Sequence, residues 1–196
     1  MEKLFSNVSD KGMKWLKSGD EVVLAKGHGV ALVNQDFVHP LTGAVETYDF
    51  CRKSNGVTVL PLLRNGNIVV TSQFKQGADR LVWEFPAGMK AKPKDDSASE
   101  AHIELKEESG LKTGQLDSLG TAIVAPRKFA TSEELYVAID CELLPGGPKP
   151  GPSEILELWE MTPEEFLDIL DKGDGSVSGF SELAFWRASQ KGYFIP

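Results

Sequence analysis

Cysteine is scarce in this chain of 196 residues: only Cys51 and Cys141 occur. Both lie in strand-like runs rather than at metal-ligand spacing, so two buried free thiols in a reducing compartment are expected instead of a disulfide framework. Long hydrophobic runs are missing too. None approaches the roughly 18 residues of a membrane span, and no membrane partner is expected. Basic charge is short, with 21 Lys and Arg against 29 Asp and Glu and a formal charge of −8. A phosphate backbone demands a basic footprint, so no nucleic-acid partner is expected. The same deficit means that a phosphate ester bound here needs metal ions to neutralise it. Met1-Glu2-Lys3-Leu4-Phe5 lacks the basic start and apolar core of a secretory signal, which makes the cytoplasm the expected location.

What remains is an ordinary globular composition, 41% apolar and 26% charged, of a length for one domain with a small extension. The residues from Gly12 to Leu16 suggest a short helix. Glu21 to Leu24, Gly29 to Val33 and Val45 to Phe50 are β-rich runs parted by turn signals. They predict an antiparallel unit over 1–55 that is too small to stand alone. Over 56–196, Val57 to Leu63 reads as a central strand, and Asn65-Gly66 as a hairpin turn into Ile68 to Lys75. Leu81 to Gly88 reads as one strand, followed by strands at 116–124, 134–141 and 155–161. Thr162-Pro163-Glu164-Glu165 is a capping box that opens a helix to about Asp171. Ser178 to Lys191 is a final helix packed through Leu183, Phe185 and Trp186. The expected fold class is α/β, a mixed sheet sandwiched between helices, with a small N-terminal antiparallel β unit.

The most informative stretch runs from Gly88 to Leu111. Ser97 and Glu100 form a capping box that starts a helix at Ala98, and Gly110 sits where a left-handed residue ends it. Glu100, Glu104, Glu107 and Glu108 fall on one arc, beside an Ala98, Ala101 and Leu105 stripe suited to packing on a sheet. Lys106, the one possible countercharge within the helix, points to the far side. Four like charges at this spacing repel one another. A divalent cation removes the repulsion, and carboxylate oxygens are what Mg²⁺ and Mn²⁺ prefer.

The string Glu104-Leu105-Lys106-Glu107-Glu108-Ser109-Gly110-Leu111, with Gly88 upstream, resembles the signature of the Nudix hydrolase family. Two departures stand out. Ile103 occupies the place of the family's arginine, and Gly88 lies one residue too far upstream, so that the first acid of the signature falls on Asp95. Gln73-Phe74-Lys75, Trp83 to Gly88, and Pro126, 16 residues after Gly110, are similar to the ADP-ribose and nucleotide-sugar pyrophosphatase branch. The resemblance implies hydrolysis of the diphosphate bond in a small-molecule nucleoside diphosphate derivative, giving AMP and ribose 5-phosphate from ADP-ribose. It also implies a homodimer in which subunits exchange the front β-unit.

By the same resemblance, Glu104, Glu107 and Glu108 ligate Mg²⁺ or Mn²⁺ together with the backbone carbonyl of Ala87. Glu100 is expected as a cap rather than a ligand. The general base is expected late in the chain, at Glu154, with Glu157 and Glu133 as alternatives. Substrate contacts are expected from Lys75, Tyr48, Trp83, Pro126, Arg127 and Glu133. Lys94 or Arg80 is a candidate to replace the arginine lost at Ile103. The competing readings are a binding module for ADP-ribose or a nucleotide sugar, with its catalysis impaired by Ile103, and a structural dimer with a merely exposed acidic helix.

Overall fold

The computed structural model describes residues 12–89, 96–152 and 154–196. The first strands are β1 (Leu16–Lys26), β2 (Val30–Val38), β3 (Val45–Lys53), β4 (Gly56–Leu63) and β5 (Ile68–Lys75). Strands β6 (Arg80–Glu84) and β7 (Ala87–Met89) lead to helix α1 (Ser97–Ser109). Then come β8 (Leu111–Lys112), β9 (Gln115–Ala122), β10 (Phe129–Ala130), β11 (Glu133–Leu143) and β12 (Leu156–Met161). Helices α2 (Pro163–Asp171) and α3 (Gly179–Gln190) follow. The chain divides into two units.

The first unit holds residues 12–53 and Ala125–Ala130. Strands β1, β2 and β3 form an antiparallel meander, and β10 adds to β3 in parallel, with Phe129 opposite Cys51. The helix expected over 12–16 is not formed. Gly12 takes a left-handed φ of 74°, and Leu16 already pairs with Val38. Cys51 is half-buried rather than fully buried, while Cys141 in the other unit is buried, and both are free thiols.

The second unit is built on a mixed sheet in the order β12-β5-β4-β11-β8, with β6 on β5, β7 on β4 and β9 on β11. Its centre is the parallel pair β4 and β11. Alternate residues of these two strands point to opposite faces. Val57, Val59, Tyr136 and Ala138 meet Ala101 and Leu105 of α1 on one side. Leu60, Leu62, Leu135 and Val137 meet Phe166 of α2 and Phe185 of α3 on the other. The sheet is therefore sandwiched between helices, as its near-continuous apolar strands require. Phe85, Phe166 and Phe185 stack in series at 5.2 and 5.0 Å between ring centroids. Trp186 is 38% exposed and packs its ring edge to face on Phe185.

Leu81 to Gly88 is not a single strand. Pro86 has no N–H to give to a ladder, and the chain breaks at Phe85-Pro86. It leaves β5 as β6 and resumes beside β4 as β7, with Gly88 opposite Val57. That switch carries the backbone of Ala87 and Gly88 up to α1. Leu105 is the fully buried pin beneath the helix. Leu105→Ala should lower the unfolding free energy by about 2–5 kcal/mol, read from urea denaturation; a loss below about 0.5 kcal/mol would contradict this packing.

Candidate active site

Helix α1 begins one residue earlier than the sequence pattern suggests. Asp96 is the N-cap, its carboxylate accepting from the Ala98 N–H, and the Ser99 hydroxyl donates to it at 3.0 Å. Ser97 is buried and donates instead to Glu134 at 2.6 Å, so the Ser97–Glu100 capping box does not form. Gly110 closes the helix with φ 67°, its N–H bonded to the Lys106 carbonyl, as its left-handed preference demands.

With Ala101 and Leu105 turned to the sheet, Glu104 and Glu108 of the acidic arc face the β7 backbone. Glu108 is only 5% exposed, and its Oε2 accepts the Ala87 N–H at 2.9 Å. Glu104 is half-buried and lies directly on Gly88; a Cβ there would stand 1.7 Å from its Oε1. No side chain fits at residue 88 unless Glu104 moves away. Glu133, buried at the start of β11, accepts the Thr58 hydroxyl. A Cβ on Gly56 would lie 2.9 Å from the Gly88 carbonyl and 3.0 Å from Glu133, so glycines on two strands let the carboxylates and the backbone close up.

Burial pushes Glu104 up to about 7, with the charges of Glu100, Glu107 and Glu154 adding to it. Burial likewise pushes Glu108 up to about 8 against the Ala87 hydrogen bond, helped by Glu104, Glu84 and Glu154. Glu154 thus belongs to the same electrostatic cluster, and the Gly151 N–H holds its carboxylate at 2.6 Å. Glu107 is exposed on the outer flank. Among the described residues, no three acidic, His or Cys side chains are gathered into a ready-made metal cage. The donor set nevertheless fits a hard divalent cation in kind: oxygen ligands whose crowding has already raised their affinity for a positive charge.

The other expected residues are distributed more widely. Lys75 is ion-paired with Glu84 and donates to Gln73 at 2.5 Å. Glu84 is a residue that the motif reading missed; its one signal is a lone carboxylate among the apolar residues of Trp83-Glu84-Phe85. Trp83 is half-buried and packs edge to face on Trp159 at 5.8 Å. Tyr48, Pro126 and Arg127 belong to the first unit, where they line a cleft of about 470 Å³ with Phe50 and Arg52. Arg80 donates to the Asp174 carbonyl at 2.6 Å, so its charge is engaged there rather than beside Ile103. Glu157 is exposed on β12, opposite Ser72. Lys94 and Asp95 lie outside the described residues.

The NUDIX domain model matches residues 52–178, more than half of the chain. The chain belongs to the Nudix family. This Nudix hydrolase is 24% identical over 161 residues to the ADP-ribose pyrophosphatase of Bacillus subtilis (strain 168), a match covering 80% of this chain and 86% of that relative. Its fold is similar to a crystal structure of an ADP compounds hydrolase, with a TM-score of 0.75 and 19% identity over 92% of this chain and 97% of the other.

The raised carboxylates give the metal-free Nudix hydrolase a characteristic pH response. In the unfolded chain these groups titrate near 4.5. The fold favours their protonated forms, so that contribution is fully present below about pH 4.5 and is lost as pH rises through about 7 and 8. The thermal midpoint of metal-free protein should therefore fall between about pH 5 and pH 8, by the equivalent of about 1–3 kcal/mol after solvent screening. Glu108→Gln should flatten the slope. A midpoint that rises over this range would contradict the burial of these two groups.

Proposed function

We propose that this Nudix hydrolase cleaves the diphosphate linkage of ADP-ribose or a related nucleoside diphosphate sugar, releasing a nucleoside monophosphate and a sugar phosphate. The observation that carries the reading is the pair Glu104 and Glu108, one turn apart and pressed on the backbone of Ala87 and Gly88. The name of the Bacillus subtilis relative supports the substrate class.

Glu104, Glu107, Glu108 and the Ala87 carbonyl would hold Mg²⁺ or Mn²⁺. The ions supply neutralisation of the diphosphate and acidification of the attacking water. Glu154 stands outside the helix, held by Gly151, and takes the proton from that water. Water oxygen bonds to one phosphorus as the bridging P–O bond breaks, and the leaving phosphate departs with the bridging oxygen. Lys75, poised on Glu84, offers its ammonium to the substrate phosphates. Arg127 supplies further positive charge, Pro126 and Glu133 are further substrate contacts, and Tyr48 and Trp83 are each candidates to stack on the base.

The segment 1–55 serves in this reading as the dimerisation element of a homodimer, with 56–196 as the catalytic domain. Val22, Val23, Leu24 and Val45 are each about half exposed or more in the first unit, apolar side chains that a second copy would cover in this reading. The cytoplasm is the location assumed in this reading. No described helix is long and apolar enough to cross a membrane.

The test is AMP release from ADP-ribose with Mg²⁺, in wild type and Glu154→Gln. Wild-type turnover should vanish when the metal is chelated, and the variant should lose about 10²–10⁴-fold in kcat with little change in KM. Undiminished AMP release in the presence of a chelator would contradict the mechanism. Tight binding of ADP-ribose without any AMP would favour the binding-module reading instead.

A further inference from the structure

On the outer flank of α1, away from the β7 contact, a second cleft of about 440 Å³ opens between the helix and the loop that follows β11. Lys106 and Glu107 of α1 and Lys149 of the loop line it, over an apolar floor that includes Ile103, Leu144 and Pro145. Lys106, expected from helical geometry to point away from the acidic arc, instead shares this cleft with Glu107.

The cleft is preformed by backbone tethers. The Leu144 N–H donates to the Gly110 carbonyl and the Lys149 N–H to the Glu107 carbonyl, both at 2.8 Å. A Cβ on Gly110 would stand 2.5 Å from both Gly147 and Pro148 backbone atoms, so only glycine allows the loop to dock this closely. The loop therefore cannot swing Lys149 away without breaking these contacts.

Neither lysine forms an ion pair within 4 Å among the described residues, unlike Lys75 and Lys112, which are paired with Glu84 and Glu142. Two ammonium groups against the single Glu107 carboxylate leave the cleft one charge positive, in a chain whose formal charge is −8. A fixed concavity with two free ammonium donors suits a compact dianion. The apolar floor takes a carbon face.

We propose that this cleft is a binding subsite for a phosphate monoester carried on a small hydroxylated body, a sugar phosphate, with Lys106 and Lys149 gripping the phosphate. The assignment stands apart from the diphosphate chemistry, because binding is measured on metal-free protein without turnover.

The experiment titrates ribose 5-phosphate and, separately, inorganic phosphate into metal-free wild type, Lys106→Met, Lys149→Met, the double variant and the control Lys112→Met, by calorimetry or ³¹P line broadening. Both lysines are exposed, so the variants should keep the wild-type thermal midpoint. Each single substitution should weaken binding by about threefold to tenfold, the double variant should abolish it, and Lys112→Met should bind as wild type does. Tighter binding of ribose 5-phosphate than of inorganic phosphate supports the sugar-phosphate assignment. Equal affinities, absence of saturable binding to wild type, or unchanged binding by the double variant would overturn it. Loss of hydrolytic activity with these binding results intact would count against the proposed reaction and leave the subsite standing.

Discussion

Carboxylates pressed against a backbone are the constraint around which the second unit is arranged. Glu104 rests on Gly88, and Glu108 accepts the Ala87 N–H. Both are thereby withdrawn from water in mutual range and within range of Glu154. Left to itself such a cluster destabilises the fold, since burial and like charge both oppose ionisation. The fold tolerates it because the opposite side of α1 is anchored by Ala101 and Leu105 on the central strands. Stability is concentrated on one face of the helix and strain on the other, a distribution typical of sites that await a counterion.

The sheet supplies the second half of this geometry. A chain that continued straight from β6 would have kept Ala87 and Gly88 on the β5 side. The break at Pro86 sends them to β4 instead. Glycine at 56 and at 88 then removes the two side chains that would block the approach of Glu133 and Glu104. On the far end of the helix, Gly110 acts twice, as left-handed cap and as the bare surface on which the loop of Gly147 and Pro148 lies. That loop continues to Gly151 and Glu154, so the end of α1 and the position of Glu154 are mechanically linked.

Local signals in the sequence were legible where one short-range interaction decides the outcome. The Thr162–Glu165 capping box forms as its residues require, and Asn65-Gly66 turns with Gly66 at φ 87°. The Ala101 and Leu105 stripe packs inward, and the acidic arc follows from it. Signals were misleading where a distant partner competes. Ser97 has the right spacing to cap α1, yet Glu134 of β11 takes its hydroxyl, and Asp96 caps in its place. Leu81 to Gly88 looks continuous because apolar pattern does not record which neighbour a strand pairs with. Glu84 drew no notice, because its importance comes from Lys75 across the β5–β6 pair rather than from any motif. The parallel pairing of β10 with β3 joins residues more than seventy apart, which no local pattern encodes.

The idea that the glutamate cluster is a cation site is tested most directly by diffraction. Crystals of the wild-type protein equilibrated with Mn²⁺ should show an anomalous peak at the manganese edge among Glu104, Glu107, Glu108 and the Ala87 carbonyl. A map with no peak there, and with Glu108 still accepting the Ala87 N–H, would contradict it.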